Sequence, residues 1–329
     1  MPTLTRRNRR ISLRSGLLIA VIIAVAAGVI SNRPDHAEHT GRGQHAPVQR
    51  RTRFSPVAVD PALFARTACM AYPPTRGDRH LTVFLDAGHG GLDPGSVGQT
   101  RSGRTVYEAD ETLPVELDAM AMLRTEGFRV VVSRTTDSSV ARLTKADVND
   151  TLLSAQGVHD DVAARAICAN DAGANALIGI YFDAGAPQNA GSVTGYDAAR
   201  PFAAANLRLA SLVQRDVLTT LNARGWNIPS EGVQLDTQLG SAINTAAVSY
   251  GHLLLLGPAK RGYFTTPSRM PGALIEPLFI TDPFEATIAN SSAGQHAIAS
   301  GIAEAVEQFF PVRRPARAGH GHDAAHGHG

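Results

Sequence analysis

Residues 81–95 read LTVFLDAGHGGLDPG, and this stretch decides the fold. Its first half is a short apolar run, which is typical of a buried strand, and its second half is a glycine-rich turn around one histidine, His89. The glycines on both sides of His89 let the backbone turn sharply and leave the imidazole uncrowded. Functional side chains of parallel sheets gather where the strands end, so His89 is the first candidate functional residue.

Strand and helix patterns alternate along the rest of the central region. Short apolar runs predict further strands at residues 128–133, 176–182, 252–256 and 272–275. Apolar residues three to four positions apart predict helices at residues 108–126, 160–170, 206–223 and 286–310. The alternation predicts an α/β fold, namely a single domain with a mainly parallel twisted sheet and helices on both faces.

The charge of the chain is distributed unevenly, although the net charge is only +2. Residues 1–53 contain ten arginines and two acidic residues, whereas residues 54–310 contain 18 basic and 26 acidic residues. The central region is therefore acidic and has no basic cluster interleaved with aromatic residues, which argues against nucleic-acid recognition. Two cysteines in 329 residues also exclude a disulfide-rich scaffold and a four-cysteine zinc site.

Both ends of the chain differ in composition from the centre. Residues 1–32 combine an arginine-rich flank with an uncharged apolar run, which predicts a signal peptide or a signal-anchor transmembrane helix. In either case the rest of the chain is exported to the cell envelope, anchored to the cytoplasmic membrane facing outward or secreted. Residues 33–79 are interpreted as a linker and entry segment, residues 80–310 as the domain, and residues 311–329 as a histidine-rich disordered tail.

Two glutamates are expected near His89 at the same rim of the sheet. Glu108 opens the first predicted helix, and Glu276 directly follows the apolar run of the last predicted strand. An apolar strand that ends in one carboxylate commonly presents a general base. One histidine and two glutamates around a glycine-rich rim suggest a hydrolytic metal site, whereas the simpler alternative for His89 is an ordinary turn histidine.

Six pieces of the sequence occur in an order and spacing that resembles a known enzyme family. The pieces are residues 86–95, Glu108, and residues 133–135, 165–170, 178–183 and 276–282. Over about residues 80–310 the chain resembles the zinc-dependent N-acetylmuramoyl-L-alanine amidases, which cleave the amide between the lactyl group of N-acetylmuramic acid and the L-alanine of the peptidoglycan stem peptide. The resemblance implies a peptidoglycan hydrolase with Zn²⁺ as its cofactor and peptidoglycan or muropeptides as its substrate.

The resemblance also implies roles for individual residues. His89 matches the first zinc ligand of the family, Glu108 the second ligand, and Glu276 the catalytic carboxylate. In the implied mechanism, zinc lowers the pKa of a bound water and polarises the scissile carbonyl. Glu276 takes the proton from that water and passes it to the departing amine.

The third zinc ligand of the family is a histidine, and this chain has Tyr181 at that position. Tyrosine is a poor zinc ligand at neutral pH, because it must lose a proton whose pKa is about 10. The sequence leaves three replacements open, namely a phenolate at Tyr181, Asp183 two residues further along, or His159, which precedes the second predicted helix. It also leaves two functions open: a working zinc amidase with an altered third ligand, or a degenerate amidase-like protein that binds peptidoglycan or a partner in a regulatory role.

The two cysteines allow a disulfide. Cys69 lies just before the predicted domain and Cys168 lies in the second predicted helix. An exported protein enters an oxidising compartment, where a bond between them would tie the entry segment to the domain. Two separately buried thiols are the alternative.

Overall fold

The glycine-rich stretch begins with a strand, Thr82–Ala87, in the computed structural model of the chain, which describes residues 55–239 and 245–311. The predicted signal or anchor at residues 1–32 and the tail from residue 312 onward lie outside the described residues, as does the first part of the predicted linker. Among the described helices, none combines the length and the apolar character needed to cross a bilayer.

The strands of the described residues form one large sheet and two small hairpins. In chain order they are β1 (Val57–Ala58), β2 (Ala68–Tyr72), β3 (Thr82–Ala87), β4 (Val97–Gln99), β5 (Thr105–Tyr107), β6 (Arg129–Arg134), β7 (Val148–Asn149), β8 (Leu152–Leu153), β9 (Ala176–Ile180), β10 (Ser192–Tyr196), β11 (Ser230–Leu235) and β12 (Gly272–Glu276). The helices are α1 (Glu108–Thr125), α2 (Ala155–Asp171), α3 (Ala203–Asn222), α4 (Thr245–Tyr250), α5 (Pro283–Ala289) and α6 (Ser292–Phe309), with short 3-10 turns at Lys145–Asp147 and Asp236–Gln238.

The large sheet has eight strands in the order β1-β2-β6-β3-β9-β12-β10-β11. Its four central strands, β6, β3, β9 and β12, are parallel. Strands β2 and β10 run antiparallel to their inner neighbours, and β11 is parallel to β10. The predicted, mainly parallel sheet is therefore confirmed. The carboxyl ends of β3, β9 and β12 lie along one side of the sheet, which we call the catalytic edge because the sequence predicts the catalytic residues there. The carboxyl ends of β10 and β11 lie along the opposite side.

Helices cover both faces of the sheet, as the alternating pattern predicts. Val83 and Leu85 of β3 face a large core that also contains residues of α1, α3 and α6. Phe84, between them, faces a second core, which contains residues of α2. Successive side chains of a strand point to opposite faces, so a strand that is apolar at every position belongs in the middle of such a sandwich.

Two elements differ from the sequence prediction. The predicted strand at residues 252–256 is wrong, because this leucine run forms a turn in which the N–H groups of Leu256 and Gly257 donate to the carbonyl of Leu253. Leu255 and Leu256 are buried in the second core, and a short apolar run alone does not distinguish a strand from another buried segment. The predicted helix at 286–310 is two helices, because the Ser291 side chain accepts from the Gly294 N–H and caps a new start.

A disulfide joins Cys69 of β2 to Cys168 of α2, with their Cα atoms 5.7 Å apart. Both residues are fully buried in the second core. Of the two alternatives that the sequence leaves open for these cysteines, the structure contains the bonded one. The bond links the entry segment to the helix that covers one face of the sheet.

Candidate active site at the catalytic edge

His89 lies two residues beyond β3, in the left-handed region of the backbone map with a φ of +61°. Glycines occupy the flanking positions, and a Cβ on Gly88 would lie 2.5 Å from the Tyr181 ring. The arrangement leaves no room for a larger residue at position 88. Non-glycine residues in this backbone region are uncommon and cluster at functional sites.

Both ring nitrogens of His89 face carboxylates. The Nδ1 atom lies 2.8 Å from Asp93 Oδ2, and the Nε2 atom lies 3.0 Å from Glu108 Oε1. Burial disfavours the charged imidazole, but the nearby charges and hydrogen bonds of Glu108 and Asp93 outweigh it and raise the pKa of His89 to about 10. The two carboxylates thus favour the protonated imidazole, which lies between them.

Glu108 is the first residue of α1 and is held by backbone donors. Its Oε2 atom accepts from the Ser96 N–H and its Oε1 atom from the Phe182 N–H, each at 2.9 Å. A Cβ on Gly95 would lie 2.8 Å from both Glu108 and His89, so the glycine of this turn admits the two side chains. A carboxylate at the amino-terminal end of a helix is also stabilised by the helix dipole.

Glu276 ends β12, and Asp183 lies close to it. Burial, then Asp183 and Glu108, raise the pKa of Glu276 well above its ordinary value, and the positive charge of His89 opposes this only in part. Burial and the charge of Glu108 likewise raise the pKa of Asp183 to about 6, although the Ala184 N–H donates to it. Three carboxyl groups and one imidazole therefore meet where β3, β9 and β12 end.

Tyr181 directly follows β9, but its hydroxyl points away from His89 and the three carboxyl groups. Its ring packs edge-on against His89, with ring centroids 5.3 Å apart, and its hydroxyl donates to Asp86 Oδ2 at 3.2 Å. Burial and the negative charge of Asp86 raise the pKa of Tyr181 well above its usual range. The phenol is protonated and engaged elsewhere, so the geometry does not support the alternative of a phenolate ligand.

The ring of His159 contacts other residues than His89. Helix α2 begins at Ala155, five residues before the predicted start, so His159 is inside the helix rather than in front of it. Its Nδ1 atom lies 2.8 Å from Asp160 Oδ1 and its Nε2 atom 2.9 Å from the Tyr263 carbonyl oxygen. Both ring nitrogens are engaged, so the geometry does not support His159 as a replacement for the third ligand.

Buried charges behind the glycine-rich turn stabilise its conformation. Arg165 donates to Asp86, to Asp161 and to the carbonyl oxygens of Ala87 and His89. Its guanidinium thus fixes the backbone on both sides of Gly88. Asp93 was missed as the partner of His89, although an aspartate four residues after the histidine in a glycine-rich turn is a readable signal.

Fold and site together define a hydrolytic α/β domain, with one imidazole and several carboxyl groups at the ends of adjacent parallel strands. The sequence model of the N-acetylmuramoyl-L-alanine amidases matches residues 83–308, and the chain belongs to this family of amide hydrolases.

Individual amidases resemble this chain in sequence or in fold. The amidase AmiA of Salmonella typhimurium is 25% identical over 243 residues, covering 71% of this chain and 77% of AmiA. The CwlD amidase of Clostridioides difficile, solved with the GerS lipoprotein, has a TM-score of 0.52 at 19% identity and covers 70% of this chain and 98% of its own. AmiC2 of Nostoc punctiforme has a TM-score of 0.50 at 21% identity, covering 71% and 99%. The two structures share the fold of this domain.

Proposed function

We propose that this protein hydrolyses the amide between the lactyl group of N-acetylmuramic acid and the L-alanine of the peptidoglycan stem peptide, and so acts in cell-wall remodelling. The observation that carries the proposal is the meeting of His89, Glu108 and Glu276 at the catalytic edge of a family member. These residues match the positions to which the resemblance assigns zinc binding and the general base.

Two donor atoms at this edge are of the kind that binds zinc. His89 Nε2 and Glu108 Oε1 are 3.0 Å apart, so a small separation of the two side chains would let both bind the same ion. The surplus of carboxyl groups, each raising the pKa of another, supports a dication here as well. When bound, zinc supplies a water of lowered pKa and polarises the substrate carbonyl.

We propose Asp183 rather than Tyr181 as the third donor. Its carboxylate would have to move toward His89 and Glu108, because the three donor atoms do not yet lie within 4.8 Å of one another. The backbone of Asp183 is fixed beside β12, because its N–H donates to the Leu278 carbonyl and its own carbonyl accepts from the Ile280 N–H. Its Oδ1 atom accepts from the Ala184 N–H at 2.7 Å. The Tyr181 hydroxyl instead donates a hydrogen bond to the Asp86 carboxylate, which is also paired with Arg165.

The protein groups have separate tasks in the reaction. Asp93 orients the His89 ring through Nδ1, and the Ser96 and Phe182 N–H groups orient the Glu108 carboxylate. Glu276 accepts the proton of the attacking water on a carboxylate oxygen and donates it to the nitrogen of L-alanine as the amide C–N bond breaks. A raised pKa suits a group that must hold this proton between the two transfers.

An exposed pair of side chains beside Glu108 offers a surface for the substrate. Val97 and Tyr107 face each other across the β4–β5 hairpin and are 49% and 42% exposed. Tyr107 directly precedes Glu108, so a sugar or peptide stacked on this ring would lie next to the proposed metal ligand.

The test is hydrolysis of purified muropeptides by the full-length protein, with release of the free stem peptide followed by mass spectrometry. Zinc-loaded wild type should release the peptide, and Glu276→Gln should not, while both bind the muropeptide. Exposed Glu304→Gln is the matched control and should keep full activity. Wild type that neither releases peptide nor retains zinc under these conditions would refute the amidase proposal.

A second candidate function rests on the hydrogen bond between Tyr181 and Asp86, which removes the family's third ligand position from metal binding. In that case the protein binds muropeptides or a partner without turnover. Tyr181→His distinguishes the two: a degenerate wild type would be inactive and the variant would gain zinc and activity, whereas a working wild type is active before the substitution.

We also propose that residues 1–32 export the domain to the cell envelope. Fractionation of cells that produce the full chain, combined with sequencing of the mature amino terminus, tests this. A mature terminus near residue 32 in the soluble exported fraction indicates a cleaved signal, and an intact terminus in the membrane fraction indicates an anchor. Full-length protein in the cytosol would refute export.

A further inference from the structure

Three side chains of metal-ligand type meet at the edge of the sheet opposite to His89. Asp197 directly follows β10, and Asp236 directly follows β11. These parallel strands pair Tyr196 with Leu235, so the two aspartates lie side by side. The third member, His252, comes from the turn after α4.

This group is well separated from the amidase site. Strand β10 is antiparallel to β12 and pairs its residue Val193 with Glu276. Asp197 lies four residues further along β10, which is roughly 13 Å at the usual rise of a strand. None of the three residues takes part in the proposed hydrolysis.

The geometry is that of three donors around a common point. His252 Nδ1 lies 2.8 Å from Asp197 Oδ2 and 3.1 Å from Asp236 Oδ2. One ligand atom from each residue lies within 4.8 Å of the others, and within residues 55–239 and 245–311 this is the one group of three His, Cys, Asp or Glu residues so arranged. Ligand atoms 2.0–2.2 Å from a tetrahedral ion lie roughly 3.3–3.6 Å apart, so the imidazole would have to move away from the carboxylates by about half an ångström to seat an ion between them.

One oxygen of the group has no hydrogen bond. Asp197 is fully buried and its Oδ1 accepts from the Ala199 N–H, whereas its Oδ2 lies 2.8 Å from His252 Nδ1 without the alignment of a hydrogen bond. Asp236 is 1% exposed and accepts from the Leu253 N–H. One Nδ1–H of His252 thus lies between two buried carboxylates and cannot make a well-aligned hydrogen bond to both, and incomplete pairing of buried charges is costly.

The neighbouring side chain of Arg200 does not pair with these carboxylates. Arg200 is close enough for Asp197 to influence its pKa, but its guanidinium donates to the carbonyl oxygens of Leu256, Gly257 and Ser268. Its hydrogen bonds are thus used to fasten the turn that follows His252. A second source of positive charge is needed where the two carboxylates and the imidazole converge.

We propose that Asp197, Asp236 and His252 bind a divalent transition-metal ion that fastens the turn around residues 252–257 to the ends of β10 and β11. Two carboxylate oxygens and one imidazole nitrogen suit zinc or manganese and leave a coordination position for water. A dication neutralises both carboxylates at once and gives the unpartnered oxygen of Asp197 a partner. The site is structural, because it lies away from the catalytic edge.

The test uses the full chain with His320, His322, His326 and His328 replaced by alanine, which removes the other histidine-rich zinc binder. In this background we compare His252→Ala, Asp236→Asn and His89→Ala. Exposed His296→Ala is the control for loss of a histidine. Each protein is stripped with EDTA and titrated with ZnCl2 or MnCl2, and bound metal and the Tm are measured.

The background chain should bind one more equivalent of metal than His252→Ala, with affinity at this site reduced more than about hundredfold by the substitution. At a hundredfold excess over Kd, metal should raise the Tm of the background by about 5–10 °C and leave that of His252→Ala lower. His89→Ala should keep this equivalent and this rise, which separates the site from the proposed amidase zinc.

Equal metal content in the background and in His252→Ala would overturn the proposal. So would an Asp236→Asn variant that is more stable than the background in EDTA while binding as much metal, because the group would then be a histidine–aspartate pair that shares a proton. If both variants fail to fold, the His89→Ala chain decides alone: no bound zinc and no rise in Tm refute the site.

Discussion

The hydroxyl of Tyr181 donates to Asp86 Oδ2 at 3.2 Å, and Asp86 Oδ1 is in turn 2.6 Å from Arg165 Nη1. The residue at the family's third ligand position is therefore the outer member of a buried polar chain that runs behind the glycine-rich turn. The Tyr181 hydroxyl supports the glycine-rich turn through Asp86. The carboxylate of Asp183, two residues later, is the group that interacts with Glu108 and Glu276.

This relationship predicts opposite results at positions 181 and 183. Tyr181→Phe removes only the hydroxyl, so zinc content should stay unchanged while the free energy of unfolding falls by about 1 kcal/mol. Asp183→Asn removes the proposed third donor and should weaken zinc binding by more than about tenfold. Metal analysis after dialysis and urea unfolding measure the two effects. Loss of zinc in Tyr181→Phe, with retention in Asp183→Asn, would reverse the assignment.

Glu276→Gln should lower kcat by roughly 10²–10⁴-fold, the usual contribution of a positioned acid–base group. The amide cannot accept the proton of water at this position, yet it keeps the size of the side chain. Muropeptide affinity, measured by calorimetry, should change little. A variant with unchanged kcat would remove Glu276 from the reaction.

Glu116 gives the stability of the fold a pH dependence. Burial raises its pKa to about 7, more than the positive charge of Arg134 and the N–H groups of Ser133 and Ala87 lower it. An acid whose pKa is higher in the folded state binds its proton more tightly there. The stability that this proton contributes is complete below about pH 4.5 and is lost as the pH rises through about 7.

Glu116→Gln should therefore reduce the loss of stability between about pH 4.5 and 7.5 by roughly 3 kcal/mol, since one pKa unit corresponds to about 1.4 kcal/mol. Urea denaturation at a series of pH values measures the slope. Exposed Glu304→Gln should leave the slope unchanged. Equal slopes for Glu116→Gln and wild type would show that the carboxyl does not titrate in this range.

The Cys69–Cys168 bond closes a loop of about a hundred residues, since the cysteines are 99 positions apart. Replacing both cysteines with serine should lower the free energy of unfolding by about 2–5 kcal/mol, because the unfolded chain regains the conformations that the loop excludes. Thermal unfolding with and without dithiothreitol checks this on the wild type. A reduced protein with an unchanged Tm would show that the bond adds nothing to the fold.

The sequence predicts the central part of this fold well, for a physical reason. Strands β3, β6, β9 and β12 are buried on both faces, so each is a continuous apolar run that stands out from its surroundings. Strands β10 and β11 do not stand out, because SVTGY and SEGVQL carry polar residues and glycines. The leucine run at residues 253–256 predicts a strand that does not form, because a buried turn has the same apolar pattern as a buried strand.

The candidate site was predictable where a residue comes directly after a strand or at the start of a helix. His89, Glu108 and Glu276 are of this kind, and the structure brings their side chains together. The position of a residue at the end of a strand does not predict the direction in which its side chain points. Whether Tyr181 turns toward the edge or back toward Asp86 depends on the space above Gly88 and on the charge of Arg165, which come together only in the folded chain.

The left-handed backbone of His89 sets the conformation of its main chain against the contacts of its side chain. A residue with a Cβ costs about 1–2 kcal/mol in this conformation, and glycine avoids that cost. Glycine at this position would relieve the backbone but leave Asp93 and Glu108 without the imidazole that both contact. The contacts of one ring therefore offset the strain of the turn that carries it.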